Sequence, residues 1–129
     1  MYHYTAETTV SVEQAVAALE AALREEQFGV LWRLNLHEKL MEKGIEFDGE
    51  YTILEVCNPA IAHKAVNHNR MAGYFMPCKI VVYEAGGKTK IGMPKPTVLM
   101  NLPGDDALKD LAAGVEQRLI GCIDRVAHS

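Results

Sequence analysis

The stretch from Glu50 to Glu84, EYTILEVCNPAIAHKAVNHNRMAGYFMPCKIVVYE, narrows the folds open to this chain more than any other. Tyr51 to Cys57 alternates as a half-buried strand does, with Leu54 and Val56 on one face and Ile53, Glu55 and Cys57 on the other. Asn58-Pro59 then starts a helix. The Asn side chain can accept from the free N–H groups of a first turn, and Pro at the first helical position loses nothing by lacking its own. Ile61, Ala62, Ala65 and Val66 make the buried side of that helix, which ends near Asn69. Past Met76-Pro77, Cys78, Ile80 and Val82 alternate with Lys79, Val81 and Tyr83 as another strand. Each of the two strands thus has a cysteine at its inner end, beside a turn.

The flanking sequence supplies the rest of the body. Tyr2 to Thr8 suits a first strand. Ser11 with Gln14 three residues on is a capping box, opening a helix whose apolar stripe is Val12, Ala15, Val16, Leu19, Ala22 and Leu23. Gly29 is expected to end it with a positive φ. Val30, Trp32, Leu34 and Leu36 alternate with Leu31, Arg33 and Asn35 as a strand, and a short helix beginning at or just after His37 closes at Gly44. Phe47-Asp48-Gly49 marks a turn. Gly86-Gly87 makes a hairpin into a strand from Lys88 to Met93, stopped by Pro94 and Pro96. Thr97 to Leu102 reads equally as strand or helical turn. Asp105 caps the last helix, striped by Leu108, Leu111, Ala112, Val115, Leu119, Cys122, Ile123 and Val126. The order β-α-β-(α)-β-α-β-β-α predicts an α+β fold: a two-layer sandwich of a mostly antiparallel sheet of about five strands with the main helices on one face. The other sheet face and an edge strand then need cover, and a homodimer is the expected way to provide it.

At 129 residues, 49% hydrophobic and 23% charged, the chain is expected to form one domain over 1–129, able to bury a core without disulfides or metal. The net charge of −4 speaks against sequence-independent nucleic-acid binding, which needs a positive field. It is unevenly spread: residues 1–64 carry five basic and eleven acidic side chains, and 65–129 eight and six. MYHYTAETTV lacks the basic and apolar regions of a signal peptide, and no apolar run reaches the roughly 18 residues of a membrane span. Three cysteines without close spacing do not form a disulfide framework. A cytoplasmic protein with reduced thiols, with no membrane or nucleic-acid partner, is the expectation.

Candidate chemistry centres on Cys57 and Cys78. On neighbouring strand ends they could approach, and the capped helix start after Cys57 would lower a thiol pKa. A disulfide, metal or reactive thiol is one reading; small buried hydrophobes are the other. Cys122 belongs to the core stripe. His63 and His68 are five apart and do not share a helical face, so they make no metal pair. Gly87-Lys88-Thr89 lacks the earlier glycine of a phosphate loop, since position 82 is Val82, and a strand follows where a helix is required. Lys79, Lys88, Lys90 and Lys95 form a basic spot with only Glu84 among them. The loop from Met71 to Pro77, with Tyr74, Phe75 and Met76, is either a contact surface or folded onto its own core.

The pattern E-V-C-N-P-x-x-A from Glu55 to Ala62, followed by M-P-C-K-I-V-V-Y-E from Met76 to Glu84, resembles the bacterial domain-of-unknown-function family DUF302. The family's G-F-x-V region has a counterpart in Phe28-Gly29-Val30, with its first two residues exchanged. The resemblance covers nearly the whole chain. It implies a small α+β domain similar to structures that form homodimers, and it carries over no catalytic residue. Cys57, Asn58, Pro59, Pro77 and Cys78 are the positions that match its signature. The expected function is a homodimeric small-ligand-binding module with Glu55, Cys57, Asn58, Pro59, Met76, Pro77 and Cys78 as its site. Its ligand would be anionic or carbonyl-bearing, with no metal or cofactor. Thiol redox or metal handling at Cys57 and Cys78, and a structural or protein-interaction subunit, are the alternatives.

Overall fold

The computed structural model describes residues 1–128. Strands β1 (His3–Thr8), β2 (Gly29–Asn35), β3 (Tyr51–Cys57), β4 (Cys78–Ala85) and β5 (Lys88–Pro94) form one sheet. Its order is β1-β5-β4-β3-β2, and every neighbouring pair is antiparallel. Helices α1 (Val12–Glu25) and α5 (Asp106–Ala127) pack together across one sheet face. Shorter helices α2 (Leu36–Glu42), α3 (Pro59–His68) and α4 (Pro96–Leu99), with a 3-10 segment at Arg70–Phe75, complete the chain. This is the α+β sandwich the hydrophobic periods predict.

Alternation decides which side chains meet the helices. Leu54, Val56, Ile80, Val82 and Ile91 are fully buried against Val16, Leu19 and Leu23 of α1 and Leu119 and Ile123 of α5. Trimming one of these leucines to Ala removes apolar burial and leaves a void, which costs about 2–5 kcal/mol. Tyr4 ties β1 to α5 by donating its hydroxyl to Asp124. Arg118 of α5 lies 5.0 Å from the centroid of the Phe28 ring and donates to the Glu26 carbonyl, closing the joint with α1.

Local chemistry sets most of the boundaries. Ser11 and Gln14 complete the expected capping box. The end of α1 differs from expectation: Gln27, at φ 65°, takes the left-handed position, and Gly29 is already strand. Phe28 N–H reaches the Leu23 carbonyl and Gln27 N–H the Arg24 carbonyl, while Phe28 enters the core beside Leu23. That is a Schellman stop whose apolar contact offsets the cost of a non-glycine in the left-handed region. At the β4–β5 hairpin both loop residues do have positive φ, 60° at Gly86 and 77° at Gly87, as a two-residue turn matching strand twist requires.

Strand β2 departs from simple alternation. The register with β3 slips between Val30 and Trp32, so Val30 stands opposite Val56 on the helix side while Trp32 stands opposite Glu55 on the other. One extra residue in the strand flips every later side chain. Val30 and Trp32 therefore do not share a face, and Leu36 belongs to α2 instead of β2. Asn35, and not His37, caps α2 by accepting from Glu38 N–H at 3.0 Å. Helix α3 is shallower than its apolar stripe suggests: Ala65 alone is buried, while Ile61, Ala62 and Val66 are partly covered. Among the described residues, no helix is long and apolar enough to cross a membrane.

Candidate functional site

The end of the sheet where β3 stops and β4 begins opens into a cavity of about 700 Å³. Its floor is the side of α5 carrying Leu108, Leu111, Ala112 and Val115, and Ile61 and Ala65 of α3 form a wall. Phe75, Met76 and Pro77 line a second side, with Met93, Pro96 and Leu99 a third. A second small core, built from Ala65, Ala72, Met100, Leu108 and Ala112, backs these walls. Tyr74, Leu31 and Trp32 sit at the rim, exposed by 80%, 62% and 51%. The β2 bulge is what leaves Leu31 and Trp32 exposed as neighbours.

Two charged side chains belong to the lining, Glu55 and Lys79, and they are paired with each other. They face one another in the β3–β4 register, and the Lys79 ammonium donates to Glu55 Oε1 at 2.5 Å. Glu55 is the more enclosed, at 17% side-chain exposure against 46% for Lys79.

Four of the seven expected site residues, Glu55, Met76, Pro77 and Cys78, line this cavity; Cys57, Asn58 and Pro59 do not. The Asn58 side chain is buried and its oxygen accepts from Ile61 N–H at 3.2 Å, so it is committed to capping α3. Pro59 is exposed at the first position of that helix, and the Met76–Pro77 peptide is cis. Cys78 stands opposite Val56 and packs against the main core, whereas Cys57 falls on the other sheet face. Both thiols are free. Burial pushes the Cys78 thiol up to about 11, with the nearby Cys57 and Glu55 adding to the effect. Burial raises Cys57 as well. A proton that leaves less readily is the opposite of what a reactive thiol needs.

The other sequence features resolve individually. His68 Nε2 lies 3.0 Å from both carboxylate oxygens of Asp105, and His63 is exposed. Among the described residues, no group of three or more His, Cys, Asp or Glu is arranged to hold a metal. The basic spot is less basic than the chain order suggests, because Glu7 of β1 lies 3.6 Å from both Lys88 and Lys90. The loop from Met71 to Pro77 is folded in part onto its own core: Ala72 is buried and Phe75 and Met76 are half-buried, while Met71 and Tyr74 are exposed. Thr97 lies in α4, which settles that segment as a helical turn. Its N–H and hydroxyl donate to the buried Glu116 carboxylate of α5, at 3.0 and 2.7 Å. Trp32 and the α5 residues of the cavity floor were not among the expected site positions. Nothing in a hydrophobic period marks a bulge, and an apolar stripe looks the same under a void as under a neighbour.

Fold and site together define a small two-layer α+β domain with an apolar cavity at one sheet end. Residues 4–126 match the family described as Domain of unknown function DUF302, and the chain belongs to that family. It is similar to the crystal structure of an uncharacterized conserved protein DUF302 from Bacillus stearothermophilus, with 49% identity, 98% of each chain covered and a TM-score of 0.94. No functionally curated protein matches the chain.

Proposed function

We propose that this domain binds a small, largely apolar molecule in the cavity between α3, α4, α5 and the start of β4. The observation that carries this reading is the cavity itself. About 700 Å³ lined by aliphatic, aromatic and methionine side chains, with one polar pair, falls within the roughly 300–1,000 Å³ of small-molecule pockets, which combine apolar walls with few polar groups. The chain's one tryptophan, Trp32, is in the lining and provides a direct reporter. Titration with an apolar dye such as Nile red should change Trp32 emission saturably. Ala112→Phe, which places a ring in the cavity, should abolish the change while the circular dichroism stays that of the folded chain. A dye that never saturates, or that binds Ala112→Phe equally well, would rule the reading out.

The proposal includes a homodimer formed through the sheet face that α1 and α5 leave uncovered. What supports it is the pair of adjacent exposed side chains Leu31 and Trp32, since such apolar surface tends to be covered by a partner. Light scattering across a concentration series tests it. A monomer mass throughout counts against it.

A further inference from the structure

We infer that the cavity selects molecules without net charge, an apolar body bearing a carbonyl, amide or hydroxyl head, and that the Glu55–Lys79 pair is the device that selects them. The inference rests on the reading of the cavity as a ligand site and adds its chemical class. Every other side chain in the lining is uncharged. The Cys78 thiol, raised to about 11 by burial, adds no charge at neutral pH.

The two charges are already spent on one another. The Lys79 ammonium gives one N–H to Glu55 Oε1 at 2.5 Å and has two more donors, while the second Glu55 oxygen can still accept. A neutral head that accepts, donates, or does both can add to this pair without disturbing it. A carboxylate entering the same place meets Glu55 as a like charge, and an ammonium meets Lys79. Either leaves one charge unbalanced beside apolar walls, and the penalty is the larger for Glu55, which is 17% exposed against 46% for Lys79. Removing one member of the pair should therefore reverse the selection in a direction set by which member is removed.

The experiment uses three decyl probes below their micelle concentrations at neutral pH, read by Trp32 emission: decanamide, decanoate and decylamine. With the unaltered chain, decanamide should bind at least about tenfold more tightly than either ion, as like-charge juxtaposition at an interface implies. Glu55→Gln frees Lys79 and should move decanoate to first place; Lys79→Gln frees Glu55 and should do the same for decylamine. Longer neutral homologues should gain about fourfold per added methylene until the cavity is full. Equal affinities for the three probes in the unaltered chain, or an order unmoved by both variants, would overturn the charge selection while leaving the cavity a binding site. Failure of all three probes together with Nile red would remove the binding site, and the inference with it.

Discussion

Cys57 and Cys78 end and begin neighbouring strands, yet they lie on opposite faces of the sheet. The register places Val56, not Cys57, across from Cys78, and alternation then sends the Cys57 side chain away from the one Cys78 packs into. A disulfide between them would need a shift of one residue between β3 and β4, which would turn Leu54 and Val56 out of the core.

Both thiols should therefore be slow to alkylate at neutral pH, and mild oxidation should not join them. The thiol of Cys78 is held protonated up to about 11 in the folded chain, against 9.0 for the ordinary group. Its neutral form is the one the fold favours. That contribution is fully present below 9.0 and is lost as pH rises through about 11. Chemical denaturation across that range should show a steeper alkaline loss in the unaltered chain than in Cys78→Ala. Parallel curves for the two would show that Cys78 is not the titrating group.

Glu116 holds α4 in place from a distance in sequence. Lys95, at the start of α4, offers no side-chain cap, and the Glu116 carboxylate accepts the Thr97 N–H instead. Glu116→Ala leaves that N–H and the Thr97 hydroxyl without their partner, which should cost roughly 1–3 kcal/mol. Glu116→Gln keeps an acceptor oxygen and should cost less. Urea denaturation of the two variants checks the order, and an Ala variant as stable as the parent would show that water replaces the carboxylate.

The architecture was legible because it depends on periods and punctuation that act locally. Ser11-Gln14, Asn58-Pro59, Gly86-Gly87 and Asp105 each act within a few residues, and all four appear where the sequence puts them. The candidate site was legible only in part. Glu55, Met76, Pro77 and Cys78 line the cavity because strand ends meet there, whereas the Asn58 side chain caps its own helix, as its place before Pro59 implies, and lies outside the lining. Trp32 was misplaced because a bulge depends on what the partner strand requires. Glu7 beside Lys88 and Lys90 pairs across a sheet, between residues far apart in the chain.

Gly92 of β5 is required by close approach, with no unusual backbone angle. It faces Thr5 of β1 across the ladder, and a Cβ at Gly92 would lie 2.9 Å from Thr5 Oγ1. Gly92→Ala should destabilise by roughly 1–3 kcal/mol, the usual range for overpacking. Thr5→Ala removes the obstructing atoms, leaving the Tyr4 carbonyl at 3.5 Å as ordinary contact. The double variant should accordingly recover most of the loss. A double-mutant cycle in urea measures the coupling, and strict additivity would place the cost of the Ala elsewhere.

The start of α5 should make both stability and ligand retention fall in acid. Asp105 accepts from Ala107 N–H at 3.0 Å and Leu108 N–H at 3.2 Å, and His68 lies against the same carboxylate. The Leu108 hydrogen bond is the main reason its carboxyl sits below the ordinary 3.8, with His68 assisting and partial burial opposing. A carboxyl held low by the fold stabilises above its unfolded value, and that stabilisation is lost as pH drops from 3.8 through the lower folded value. Asp105→Ala should lower the thermal midpoint at neutral pH and flatten its acid decline, with Asp105→Asn in between because it keeps an acceptor oxygen. Leu108 and Leu111, in the turns that follow, belong to the cavity floor. Fraying there would open the cavity, so Nile red should be released over the same acid range in the unaltered chain. In Asp105→Ala, dye binding should instead be weak already at neutral pH. Release that follows global unfolding in both chains would separate the cap from the cavity.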